Sequence, residues 1–597
     1  LLKGVVNHSG IIEANSLDGL NGEVIIFAHG GKANISGTID AKGGFVETSA
    51  KNLSVTDGAK ITTKNWLIDP EDITIDGGTG GLTGETVGAS VIESALNGGT
   101  NVKLEASNNI YVNQNLAWNK SELILDAYNG IVINSILNVT GSGSLDLNSG
   151  YAPIKFGMNE SKDGFIGKVN FDSTGTMKLY NQSYTVIKTQ DDLQNIKNNL
   201  SGKYVLANDI DFTGRDWVAN PWQQIGTNYE NNRFSTTLDG LGHSIKGFKM
   251  SQKDATTNSI GMFGHSSAAF TNLGLEDVTI DGVSAAVTGT LVAESKDAYF
   301  RNIFVTGNVN AKHNTGGLVS RASSSTFDNI YSFVNITTEM GGIGVGGILA
   351  YAEGSFIKNS SFRGSINNDG GLQTGGIAGN IYSGSEVIDS NSQGTISGGY
   401  YVGGLVGVLN SGSLVRGSYF NGNIKGKDIV GGIAGASSSG TIKKSYSYGT
   451  IEGESYIGGI AGEVEHDTIE NSYSNIKITS NGNYLGGIVG VVVNHDNSES
   501  TIKNSYSNTS IIHTGTDKSN IFGLRGGSKI GTHGANNSVI QTANSFYNKD
   551  LIPTPEGYNP DFGSAKTTSE IETFATYSLS WDIVEDDTLA KGTPILA

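Results

Sequence analysis

The chain has 597 residues, 85 of them glycine and only 7 proline, with 37% apolar residues, a net charge of −18 and no cysteine. This excludes a collagen-like chain, which needs a Gly-X-Y period and much proline, and a disordered tail, which lacks recurring apolar positions. It excludes disulfide and thiol chemistry, and it argues against nucleic acid or an anionic membrane surface as partner, since both need a basic face.

No apolar run approaches the roughly 20 residues of a spanning helix. The opening, "LLKGVVNHSGIIEANS", has no basic end followed by a long apolar stretch, so it reads as mid-pattern β-strand and not as a signal peptide. The expectation is a segment of a longer protein. Length alone suggests about four domains, but a repeat chain escapes that prior because each unit packs only on its neighbours.

Residues 1–75 carry "GTIDAKGGFVETSAKNLSV" (37–55) and "NWLIDPEDITI" (65–75), and 76–185 continue with "SVIESALNGGTNVKLEASNNIYVNQNLAW" (90–118) and "SELILDAYNGIVIN" (121–134). These stretches, "WLIDP" above all, resemble filamentous-haemagglutinin-type exoproteins of two-partner secretion, the high-molecular-weight adhesins in particular. The resemblance implies a long right-handed parallel β-helix. It also implies an outer-membrane two-partner-secretion transporter as partner, although the secretion domain of such proteins is not in this stretch.

A lead-in spans 186–260. Within "TQDDLQNIKNNLSGKYVLANDIDF" (189–212), Leu193, Ile196 and Leu200 have helical spacing, so a short helix is expected near 190–200. Repeats fill 261–548. Gly-Gly pairs begin at Gly316, Gly346, Gly375, Gly403, Gly431, Gly458 and Gly486, at intervals of 27 to 30. Degenerate copies lie at Gly261 and Gly289, and another near Phe522. Leu or Ile follows every pair: Leu318, Ile348, Ile377, Leu405, Ile433, Ile460 and Ile488. A second strand ("TIKKSYS", 441–447) and a third ("GTIEG", 449–453) complete each unit.

Three short strands per period of about 28 residues describe one coil of a β-solenoid, with coils stacked at roughly 4.8 Å. The Gly-Gly pair then falls at a corner, which needs either positive φ or close backbone approach. Asn302, Asn329, Asn359, Asn471 and Asn504 take equivalent places and suggest an amide ladder. Two residues on, Phe304, Tyr331, Tyr419, Tyr446, Tyr473 and Tyr506 suggest an aromatic column, read as structural in preference to a ligand platform. Cores such as "YVGGLVG" and "YIGGIAG", with the lead-in "WQQIG" and "FSTTLDGLGHSIKGFKM", resemble the GLUG repeats of bacterial surface and secreted proteins. Residues 549–597 are expected to cap the last coil.

Parallel β-helices also host polysaccharide lyases and hydrolases, which need converging carboxylates. The candidates are Asp209 and Asp211, sharing a strand face, and Asp239 with His243. Turn chemistry is the preferred reading of these four. The nine histidines show no metal-ligand spacing, the insert "HDNSES" (495–500) reads as a protruding loop, and twelve sequons are a minor glycosylation hypothesis. No catalytic, cofactor or metal residue is assigned.

The expectation is an all-β, elongated right-handed parallel β-helix acting as a non-enzymatic adhesin segment, secreted or on the surface of a Gram-negative bacterium. Its expected partner is a host cell-surface receptor or glycan. The alternatives are the stalk of a larger secreted protease or toxin, since GLUG repeats also occur beside proteases, and a polysaccharide-processing β-helix enzyme.

Overall fold

Alternating apolar and polar residues shape the first strands of this computed structural model. It describes residues 4–17, 20–77, 85–228, 230–251, 258–283, 285–339, 341–494, 499–516, 520–530, 540–552, 564–571, 583–584 and 595–596. In Glu23–Ile35 and Thr38–Val55, Ile35, Ile39, Val46 and Leu53 are buried while most of their neighbours along the strand are half-buried. The two strands pair in parallel, with Val24 against Val46, and Thr38–Val55 pairs onward with Lys60–Ile68. Trp66 is buried there, its indole N–H donating to Thr48 Oγ1 at 3.0 Å.

Coil length in this first region is irregular. Ile110 sits against Ile131, 21 residues on, whereas Leu137 sits against Val169, 32 residues on. Helix α1 (Ala89–Gly98) interrupts it, burying Val91, Ile92, Ala95 and Leu96, and ends on Gly99 at φ 101°. Sequence reading assigned this stretch to the β-rich portion. The apolar set on one helical face, closed by Gly98-Gly99, is the signal that marks it.

Helix α2 (Gln190–Asn195) forms where expected and continues as a 3-10 turn over Ile196–Asn198. Thr189 Oγ1 accepts from the Asp192 N–H, and Asp192 accepts from the Thr189 N–H, a reciprocal cap. Leu193 and Ile196 are buried over an aromatic cluster of Phe212, Trp217, Trp222 and Phe248.

From there the chain is almost wholly parallel β. Gly316, Gly346, Gly375, Gly403, Gly431, Gly458 and Gly486 pair in succession, and Gly486 then pairs with Phe522. A long sheet of 35 strands and a second of 10 wrap one continuous core among the described residues. One inward column runs Phe270, Phe300, Phe327 as stacked rings, then Ile357, Val387, Val415, Ile442, Ile469 and Ile502. Each such side chain contributes about 1.5–3 kcal/mol by burial.

The Gly-Gly pairs do lie at corners, and close approach is the reason. None of the paired glycines has positive φ. A Cβ on Gly403 would collide with the Val406 carbonyl, and one on Gly404 with the Gly432 carbonyl of the next coil. The Leu or Ile after each pair sits in the bend itself, fully buried, with the strand starting one residue later. Its carbonyl takes two N–H groups: Ile348 O accepts from Leu318 at 3.0 Å and Val319 at 3.1 Å. Most of the expected C-terminal cap, and residues 495–498 of the expected loop, lie outside the described residues.

Candidate functional site

The four polar candidates do not converge on a common point. Asp211 Oδ1 closes a turn on Thr213, accepting its N–H and its hydroxyl at 2.7 Å each. Asp239 is buried, and burial raises its pKa despite three donors: the Leu241 N–H (2.8 Å), Thr271 Oγ1 (2.8 Å) and Asn272 Nδ2 (3.0 Å). It is a turn carboxylate bound to the first rung of the asparagine ladder.

Asp209 and His243 do meet, with His243 Nδ1 3.1 Å from Asp209 Oδ1. Lys246 Nζ lies 2.9 Å and Lys168 Nζ 3.6 Å from the same carboxylate, and the Ser244 N–H donates to it at 3.0 Å. Partial burial works against ionisation of Asp209. His243, Lys246, Ser244 and Lys168 outweigh it and hold the carboxyl well below the usual carboxylate range.

The cluster's place explains it. His243 Nε2 donates to the Val169 carbonyl at 2.8 Å, tying the lead-in of the repeats to the last coil of the first region. Two backbone bonds flank this tie, Val169 N–H to Leu241 O and Phe171 N–H to Ala207 O, both 3.0 Å. Further along, Asn302 Nδ2 donates to Phe156 O (3.0 Å), Phe165 packs on Phe304 (5.7 Å), and Arg363 Nη1 donates to Glu160 O (2.7 Å). Asp209 and His243 are thus part of a joint that fixes the two regions side by side.

The asparagine ladder is present in part. Asn302 donates to Asn272 and Asn329 to Asn302, each at 2.8 Å, and Asn504 donates to Asn471 at 3.1 Å. Asn359 instead donates to Asp328. Every ladder asparagine has φ between 47° and 60°, so the column first selects a residue that tolerates the left-handed region. Sequence reading missed the column beside it. Ser360, Ser390, Ser418, Ser445, Ser472, Ser505 and Ser545 are buried, and each hydroxyl accepts the N–H of the residue in the preceding coil, at 3.1–3.3 Å. The recurrent serine before tyrosine in "SYS" was its signal.

The aromatic column is shorter than expected. Ser361 and Asn391 interrupt it. Tyr419, Tyr446, Tyr473, Tyr506 and Phe546 stack continuously at 4.9–5.5 Å with planes within 11°. Their faces are spent on each other, which suits packing.

Among the described residues no three His, Asp or Glu side chains group to hold a metal ion, and no helix is long and apolar enough to cross a membrane. A cavity of about 520 Å³ opens on the outer face of the second sheet, beside Arg321 and Tyr351.

No family model matches the chain. Halomucin of Haloquadratum walsbyi is 32% identical over 143 residues, which is 21% of this chain and 2% of that protein's length. A candidate immunoglobulin A1 protease from Bacteroides ovatus is 16% identical, covering 70% of this chain and 93% of that one, with a TM-score of 0.26. A structure of an IgA1 protease, also 16% identical, covers 64% of this chain and 23% of that one, with a TM-score of 0.27. Both structural matches are to proteins named as proteases, which stands against the expectation of a non-enzyme. Likeness at this level assigns no catalytic residue, and the haemagglutinin and GLUG likenesses remain resemblances.

Proposed function

We propose that the chain is an elongated, right-handed β-helical stalk of a larger secreted or surface protein, holding an effector region away from its point of attachment. The carrying observation is the unbroken coil-to-coil pairing from Thr185 to Asn548, braced along its side by the first region through the Asp209–His243 joint. A stack bonded at every coil resists bending, and the ten ladder positions from Asn272 to Asn544 alone span roughly 45 Å of it. The repeat type it resembles also occurs beside proteases, which makes a protease-type effector the first to look for in the full-length protein.

The test is removal of one coil, residues 404–431, from the intact protein, which joins Gly403 to Gly432 and so rebuilds a single Gly-Gly corner in register. The expected result is unchanged effector activity on a soluble substrate and reduced activity on a surface-bound one. Equal loss on both substrates would sink the stalk reading.

A further inference from the structure

Outward residues of the second sheet in two coils depart from what the fold requires there. In coils from Val406 onward, the corresponding position after each corner holds Val408, Ala436, Glu463 or Val491, and the three apolar ones are covered and buried. The same register column earlier holds Glu294, Arg321, Tyr351 and Asn380, and the column two residues on holds Lys296, Ser323, Glu353 and Tyr382. Both columns face outward, because Ser295, Ala322, Ala352 and Ile381 between them are buried.

The surroundings hold Tyr351 in place. Gly344 has φ 69°, and a Cβ there would overlap the Tyr351 ring, so the glycine is what lets the ring lie down. The Tyr351 hydroxyl donates to Gln373 Oε1 of the next coil at 3.0 Å. Arg321 sits over the ring, 5.9 Å from its centre, exposed and, among the described residues, without a carboxylate at ion-pair distance. Glu294 is engaged by His265 at 3.6 Å and by Ser259 at 3.2 Å.

We propose that this groove of about 520 Å³ binds a carboxylate-bearing saccharide. Tyr351 and Tyr382, on successive coils, offer ring surfaces to the apolar faces of sugar rings. The Arg321 guanidinium presents a planar fork that matches a carboxylate, with Lys296 as a second cation. Glu353 is placed to accept from sugar hydroxyls. The inference is independent of the stalk reading.

Titration calorimetry on the 597-residue chain would use 3′-sialyllactose and trigalacturonate, with lactose as the neutral control and a polyaspartate peptide as the non-sugar acid. One acidic saccharide is expected to bind saturably and about tenfold or more tighter than lactose. Arg321→Ala should erase that preference, and Arg321→Lys should restore only part of it. Tyr351→Val, which installs the residue of the same column at Val408, should weaken binding by about tenfold with the cooperative unfolding transition retained. Tyr128→Ala, at an exposed tyrosine of the first region, should change nothing. The proposal is overturned if neither acidic saccharide saturates at roughly 10 mM, if polyaspartate binds more tightly than both, or if Arg321→Ala and Tyr351→Val bind like the parent.

Discussion

The coils around Tyr351 and those from Gly403 to Gly486 share corners, registers and inward columns, yet their outer surfaces are built from opposite sides. In the later coils the left-handed position two residues before the Gly-Gly pair holds Tyr401, Ile429, Tyr456 and Tyr484, while the sheet column holds Val408, Ala436, Glu463 and Val491. In the earlier coils that position holds Asn314, Gly344 and Gln373, and the bulk comes from the sheet instead, as Arg321 and Tyr351. The backbone ladder fixes what points inward. It leaves the outer layer free to exchange bulk between two positions, and that freedom is where a binding surface can be written.

What the two sets share is the corner, so a corner substitution has the largest expected effect. Gly431→Val would drive a side chain into the Ala434 carbonyl and the Ala461 Cα. The expected loss is roughly 3–5 kcal/mol, read as early unfolding of the neighbouring coils in urea by amide exchange. Gly412 has φ 73° but open space around its Cβ direction. Gly412→Ala should therefore cost only about 1–2 kcal/mol. If Gly431→Val costs no more than Gly412→Ala, close approach does not govern the corners.

The later coils also contain one break in a buried serine column. Ser325, Ser355, Ser385 and Ser413 give way to Gly440 and then Asp467, before Ser500 resumes. Asp467 fills the space left by Gly440, accepting from Ser437 Oγ (2.7 Å), Gly440 N–H (2.6 Å) and Glu465 N–H (2.7 Å). Burial pushes its carboxyl up to about 7, with the nearby Glu465 charge adding to the rise. The folded state then holds a proton that the unfolded state releases near pH 4. Stability from this residue is full below that pH and falls as pH rises to about 7, at ~1.4 kcal/mol per pH unit. Asp467→Asn should flatten that part of the profile between pH 4 and 7. It should also cost about 1 kcal/mol at pH 5, because an amide NH₂ cannot accept from the Glu465 N–H. Parallel urea titrations of the two proteins check this, and identical slopes would mean that Asp467 is ionised when folded.

The repeat region was legible because a fixed period makes every constraint recur. Gly-Gly, the following Leu or Ile and the ladder asparagines announce themselves by repetition. The first region gives no such help, since its coil-to-coil spacings run from 20 residues (Val46 to Trp66) to 37 (Ile73 to Ile110), and α1 passed unnoticed inside it. Asp209 and His243 were legible as residue types but not as a joint. Their partner is Val169 of another coil stack, and no local spacing encodes that contact. The Tyr351 groove was illegible for a related reason, since it is defined by departure from the repeat at positions where the pattern asks for nothing in particular.

The smallest expected effect tests whether the outer layer is free, as the comparison claims. Ile429 is β-branched and sits at φ 60°, a region that penalises such a side chain. Asn314 and Asn520 occupy the same column in the same conformation, and asparagine tolerates it. Ile429→Asn should therefore gain about 1 kcal/mol, less whatever packing the half-buried isoleucine provides. Tyr456 carries the same backbone penalty at φ 58°, but its ring stacks on Tyr484 at 5.0 Å. Tyr456→Asn should relieve the backbone and forfeit the stacking, each worth on the order of 1 kcal/mol, for a net change near zero. A gain at 429 with no change at 456, read as urea midpoints, would show the outer residues acting only through local strain and contact. A loss at both positions would mean that the left-handed column is packed as tightly as the core, and that the two sets of coils are alternative solutions to one structural requirement.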